Sequence, residues 1–253
     1  MSLSDNMKPG EARCPGHPTT KELIGNDRGG APKPLLEDSY EFLGDDDIPY
    51  ERYTSEKFAK AEDERLWSRV WQWACREEHI PEPGDYYVYD IGDRSVLIVR
   101  TEDSEIKAYY NSCLHRGTQL KPANSSGFCN ELKCPFHGWT WSLKGKLESL
   151  PCDWDFPHVK KEEFSLPEVK HAVWGGFIFI NFDSDAKPLD EYLGVLPNHF
   201  KNWKLEDRYI ETHVVKKLPA NWKVSSEAFL EAYHVLETHS EGVYTAGDAN
   251  ADY

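Results

Sequence analysis

The strongest constraint on this chain is a pair of short motifs, Cys113-Leu-His115 and Cys134-Pro-Phe-His137, separated by eighteen residues. Four metal-ligand side chains in two tight pairs point to a metal. The pairing also bears on which metal. Structural zinc sites with two Cys and two His usually keep like ligands together, as Cys-x2–4-Cys and His-x3–5-His. Each pair here is mixed, which suits a two-iron cluster in which one iron takes both thiolates and the other both imidazoles. That arrangement requires two loop tips side by side, with Cys113 and Cys134 inward and His115 and His137 toward solvent. A zinc knuckle with unusual ligand order is the alternative reading of the same residues.

The neighbours fit projecting loops. Pro135 fixes φ inside the second one. Gly117 and Gly138, lacking side chains, are expected to let backbone N–H groups approach bridging sulfides, where hydrogen bonds help set a cluster's potential. On the runs CLHRG and CPFHGW the sequence resembles the Rieske [2Fe–2S] proteins. Respiratory-chain members of that family carry two further cysteines, joined in a disulfide beside the cluster. Thr118 and Phe136 occupy those places here, so the resemblance is to the oxygenase and ferredoxin branches, with lower potentials. A third run, Cys14-Pro-Gly-His17, imitates the second loop but has no Cys-x-His beside it, and reads as part of a breaker-rich leader.

A net charge of −15 over 253 residues leaves no basic stripe for phosphates or an anionic membrane surface. The first thirty residues contain no apolar run resembling a signal peptide, and no stretch is long enough to span a bilayer. The expected compartment is the cytoplasm. Six cysteines are too few for a disulfide scaffold, so Cys14, Cys75, Cys129 and Cys152 are expected as free thiols.

Residues 1–50 are polar and full of breakers, and read as an extended arm. From Ser55, a candidate N-cap, SEKFAKAEDERLWSRVWQW has helical spacing, with Phe58, Leu66, Val70 and Trp73 on one face and its three tryptophans expected in the core. The period then becomes that of strands. DYYVYDIGDRSVLIVRT turns at Gly92-Asp93, IKAYYNSC runs into the first motif, HGWTWSLKGKLESL turns at Lys144-Gly145, and HAVWGGFIFINF supplies a last apolar pair. Residues 51–168 are expected to form the metal-bearing domain and 169–253 the start of another. In the latter, LDEYLGVLPNHFKNW reads as helix and RYIETHVVKKL as strand.

A second constellation lies in NWKVSSEAFLEAYHVLETH, Asn221 to His239. Glu227, Glu231 and His234 fall at i, i+4 and i+7 on one helix face. His239 is five residues past His234, about 140° round a regular helix. The helix must therefore end or bulge between them if both are to reach one metal. Two His and a carboxylate with open positions form the ligand set of non-haem Fe(II) oxygenases; a solvated helix face is the plainer reading.

Taken in order over roughly residues 55–240, the two constellations resemble the large (alpha) subunit of Rieske non-haem iron oxygenases of the ring-hydroxylating type. The resemblance implies an α+β chain, an antiparallel all-β Rieske [2Fe–2S] domain followed by the beginning of an α+β helix-grip catalytic domain. It implies one [2Fe–2S] cluster on Cys113, His115, Cys134 and His137, and a mononuclear Fe(II) on His234 and His239. It also implies that Glu231 bridges by hydrogen bonds to a cluster-ligating His of the adjacent subunit, where family members commonly have Asp. The family's carboxylate ligand to the mononuclear iron comes from well over a hundred residues further on. Asp248 and Asp252 do not lie there, so the chain is expected to be an amino-terminal portion without the third ligand or the substrate cavity.

In the complete enzyme a ferredoxin or flavin reductase is expected as electron donor. Dioxygen and a small hydrophobic organic substrate, aromatic or polycyclic, would be the reactants of a mono- or dioxygenation, in a homotrimer or an alpha3beta3 assembly. Two other classes stand beside this one. A stand-alone Rieske electron carrier would have no use for the 221–239 constellation, and a zinc-stabilised structural module would be colourless.

Overall fold

The computed structural model describes residues 25, 26, 28, 46–230, 234 and 238. Residues 59–215 form one compact unit; residues up to 58 and from 216 onward belong to another. No helix among the described residues is long and apolar enough to cross a membrane.

The 59–215 unit is built from three antiparallel sheets. The central one has the order β4-β3-β2-β5, from β2 (Asp85–Ile91), β3 (Arg94–Arg100), β4 (Ile106–Tyr110) and β5 (Ser126–Phe128). A second has the order β1-β10-β9, with β1 (Gln72–Arg76), β9 (Lys170–Trp174) and β10 (Phe177–Asn181). The third is small, with β6 (Leu132–Lys133), β7 (Thr140–Trp141) and β8 (Leu147–Ser149).

Strand β3 accounts for the layering. Its apolar run Val96-Leu97-Ile98-Val99 is buried on both faces, and side chains of a strand alternate between faces. Val96 and Ile98 join Ala108, Ile178 and Ile180 in one core. Leu97 and Val99 join Tyr109, Leu132, Trp141 and the two motif cysteines in the other. The thiols are thus part of a packed core, not of a loose loop.

The hairpins form where the turn residues lie. Ile91 pairs with Arg94 around Gly92-Asp93, with Gly92 at φ +53°. Trp174 pairs with Phe177 around Gly175-Gly176. Between β7 and β8 the Gly145 N–H donates to the Ser142 carbonyl at 2.9 Å.

Three expectations are corrected. The helix expected from Ser55 through Trp73 is shorter: α1 (Glu51–Thr54) and α2 (Glu56–Glu62) are followed by a π-turn, Asp63–Trp67. Trp73 lies in β1, where its register partner is Phe179, and it is 56% exposed rather than in the core. Sheet pairing outweighs helical propensity there, and the two periods are hard to separate over a Trp-rich run. The helix expected from Leu189 is split into α3 (Leu189–Leu193) and α4 (Leu196–Phe200), because Gly194 takes φ +56° between them. The strand expected in 208–218 is absent. Val214 and Val215 are more than four-fifths exposed and no ladder partner exists among the described residues, so nothing offsets the entropy of ordering the segment as a strand. Strand β10 pairs with β1 on one side and β9 on the other, joining residues 72–76 to residues 170–181 in one sheet.

Candidate metal centre

The first motif follows β4, and the second fills the turn between β6 and β7. Both loops are closed by the same hydrogen-bond frame. The Cys113 N–H donates to the Thr118 carbonyl and the Cys134 N–H to the Trp139 carbonyl, each at 2.8 Å and each five residues on. The two Cys carbonyls accept from the glycines four residues on, Gly117 at 2.8 Å and Gly138 at 3.1 Å. Gly117 and Gly138 stand at φ +76° and +72°, which L residues with side chains rarely adopt. The left-handed turn is a second reason for these glycines, beside the expected access of backbone N–H groups, and their own N–H groups are used in closing the loops.

The frame delivers two thiols and two imidazoles to one place at different depths. Cys113 and Cys134 are buried, His115 is half-buried and His137 is exposed. The two thiols share one buried core, and the two imidazole centroids are 4.7 Å apart. Among the described residues no three His, Cys, Asp or Glu side chains converge on a single point. A thiol pair behind an imidazole pair is the donor set of a two-iron cluster. Burial, chiefly, pushes the Cys113 thiol up, with the Cys134 thiol adding to it; the backbone N–H groups of His115 and Arg116 act the other way on the sulfur. Burial holds the His115 ring below the usual imidazole range, with the nearby His137 and Arg116 charges acting in the same direction.

Aromatic packing differs between the two imidazoles. Trp139, 3% exposed, stacks on His115 with centroids 5.2 Å apart and ring planes 5° from parallel. Phe156 meets His115 edge-on at 6.1 Å. His137 has Phe136 beside it at 3.9 Å, and Phe136 is 57% exposed.

Asn111 is a contributor that sequence reasoning missed. Its amide nitrogen donates to the Ser95 hydroxyl at 3.0 Å and the Lys121 carbonyl at 2.8 Å. Its amide oxygen accepts from the Leu120 and Lys121 N–H groups, both at 3.0 Å. One buried side chain thus closes the base of the first loop. A polar residue ending an apolar strand just before Ser-Cys was the available signal.

Of the second constellation, Glu231 and His239 lie outside the described residues. Helix α5 (Trp222–Glu227) starts at Asn221, whose side chain caps the Lys223 N–H at 3.0 Å. The Asn221 amide also donates to the Tyr53 carbonyl at 3.0 Å. Glu227 does not face a neighbouring ligand: Arg52 donates to it at 3.0 Å and the Tyr53 hydroxyl at 2.8 Å. The His234 carbonyl accepts from the Thr238 N–H at 2.8 Å; the residues between them lie outside the described ones. Cys14 and His17 lie outside the described residues. Cys75, Cys129 and Cys152 are free thiols, as expected.

Comparison with known proteins agrees with this geometry. Residues 70–160 match the Rieske [2Fe-2S] domain family, and residues 198–252 match the ring hydroxylating alpha subunit (catalytic domain) family. The chain is 33% identical over 205 residues to the large oxygenase component of salicylate 5-hydroxylase from a Ralstonia species, covering 76% of this chain and 48% of that one. It is 33% identical over 199 residues to chlorobenzene dioxygenase subunit alpha from Cupriavidus sp. strain PS12, covering 76% and 44%. The crystal structure of a quaternary ammonium Rieske monooxygenase in complex with L-carnitine superposes with a TM-score of 0.73 at 28% identity, over 79% of this chain and 57% of that one. The chain spans about half the length of the curated relatives it matches. With a cluster-type loop pair in its first segment and a catalytic-domain match in its second, the chain belongs to the Rieske oxygenase alpha-subunit family.

Proposed function

We propose that this chain is the cluster-bearing part of a Rieske-type mono- or dioxygenase that hydroxylates a small organic substrate at the expense of dioxygen. The observation that carries the reading is the buried thiol pair behind a surface imidazole pair, on two loops with one hydrogen-bond frame. Cys113, Cys134, His115 and His137 would hold a [2Fe–2S] cluster, and His234 and His239 two of the ligands of a mononuclear iron. When bound, the cluster supplies one-electron transfer and the mononuclear iron supplies dioxygen chemistry.

The chain's own residues do the rest. The loop frame holds the four donors in place before any metal arrives, and Asn111 keeps the first loop closed at its base. The exposed edge of His137 is where a neighbouring group can accept or donate a hydrogen bond. Glu231 would make that bond from a second copy of the chain, in a homotrimer or alpha3beta3 ring, with a cytoplasmic ferredoxin or flavin reductase as donor. At the second site, Asn221 and the Arg52–Tyr53–Glu227 contacts anchor the helix that leads to His234.

In domain terms, residues 1–50 would be a polar arm. The cluster domain would begin near 51 and extend beyond 168 through the β9–β10 pair, with the mononuclear-iron domain starting after it. The relatives act on salicylate, chlorobenzene and carnitine by name, so both aromatic and quaternary ammonium compounds are candidate substrates.

The test is iron, zinc and acid-labile sulfide per chain on protein purified without oxygen. About two irons and two sulfides support the cluster, and a third iron without sulfide supports the second site. Zinc without sulfide would overturn the reading in favour of a structural module.

A further inference from the structure

The tryptophan of CPFHGW is left without a task by the donor set. Its backbone and its ring serve different loops. The Trp139 carbonyl accepts the Cys134 N–H that closes the second loop, while its indole lies flat on His115 of the first, 5.2 Å between centroids and 5° between planes. The indole is itself held at its edges. Phe156 meets it at 5.8 Å and 90°, Phe164 at 5.9 Å and 62°, and Trp141 lies 6.2 Å away. A ring seated among those three aromatic groups and almost fully buried cannot swing aside to accommodate a different imidazole orientation.

We infer that Trp139 is a positioning residue, a strut between the loops that sets the plane of His115 and keeps water from that face, and thereby holds down the reduction potential of the centre. The inference rests on the cluster reading above. Ligand orientation and solvent access are two of the levers that set the potential of an iron–sulfur centre. Reduction adds one negative charge, which water stabilises and an apolar wall does not. Excluding water at His115 therefore favours the oxidised form and lowers the potential. His137 has against it the Phe136 ring, which is itself 57% exposed and seals nothing from water. The two imidazoles, equivalent in the sequence pattern, are unequal in the fold, and Trp139 makes much of the difference.

The experiment compares the full chain with Trp139→Phe and Trp139→Leu, each assayed for acid-labile sulfide, midpoint potential and the electron paramagnetic resonance of the reduced state. Phenylalanine keeps a smaller stacking face; leucine fills part of the space and offers none. With sulfide near the unaltered level, the potential is expected to rise in the order unaltered chain, Phe variant, Leu variant, with a changed resonance line shape. If the leucine variant fails to assemble, the phenylalanine variant decides alone. Variants that hold the cluster at the unaltered potential and line shape would reduce Trp139 to core packing and overturn the inference. Absence of sulfide from the unaltered chain would instead strike the cluster reading itself, so the two failures are distinguishable.

Discussion

Two glycines in left-handed turns of the same unit separate backbone strain from packing. Gly92 (φ +53°) and Gly145 (φ +75°) each close a hairpin. A Cβ at Gly92 would find only the Asp63 carboxylate oxygen, at an ordinary 3.7 Å. A Cβ at Gly145 would stand 2.7 Å from the Tyr109 ring and 3.1 Å from its hydroxyl. Tyr109 has no room to retreat: it is fully buried, and its hydroxyl donates to the Leu143 carbonyl at 3.2 Å. Gly92→Ala should therefore cost only the left-handed penalty, about 1–2 kcal/mol. Gly145→Ala adds an overpacking cost of about 1–3 kcal/mol, for a total of roughly 2–5 kcal/mol. For a unit of this size each kcal/mol lowers the melting temperature by about 2–4 °C. Thermal unfolding followed by circular dichroism should place the Gly145 variant several degrees below the Gly92 variant. Equal melting temperatures would refute the argument, since the two sites share the backbone strain and differ in the space around the added methyl.

His137→Ala and Cys134→Ser should each abolish labile sulfide, whereas replacing the exposed Cys152 by Ser should leave it unchanged; sulfide assays on the three variants check this. Asn111→Ala removes four hydrogen bonds inside the 59–215 unit and exposes no alternative partner for the Leu120 and Lys121 amides. It should cost roughly 2–6 kcal/mol, at about 0.5–1.5 kcal/mol per net bond, measured by urea unfolding. The Asp103 carboxyl is held at about 2, by the hydrogen bond from Lys144 first and that from Thr101 second. A folded value below the unfolded one stabilises the fold above the unfolded value, and the contribution is lost as pH falls toward about 2. Asp103→Asn should therefore flatten the acid limb of a stability-versus-pH curve between about pH 4 and 2, and leave it unchanged at neutral pH relative to its own plateau.

Much of this was legible in the chain because the chemistry is local. The mixed Cys–His pairs, the glycines behind them and the Gly-containing hairpin turns each declare themselves within a few residues, and ligand type and turn geometry are short-range properties. Where the sequence misled, a distant partner decided. Trp73 carries a helical spacing yet pairs with β10 a hundred residues on. Val214 and Val215 carry a strand's composition yet have no ladder to join among the described residues.

Glu227 illustrates the same division at the candidate site. Its spacing places it on one face with Glu231 and His234, but only the fold turns it toward Arg52 and Tyr53. The stacking of Trp139 on His115 has no sequence signature, since it joins residues whose separation along the chain says nothing of their distance in space; for Asn111 the sequence offers a polar residue after an apolar strand but not the partners it bonds. By itself the sequence determined that two short Cys–His pairs of ligand type occur eighteen residues apart, each beside a glycine suited to a tight turn. Tertiary structure decided their depths, their neighbours and which imidazole is walled off, because burial and stacking depend on what the rest of the chain brings to the same place.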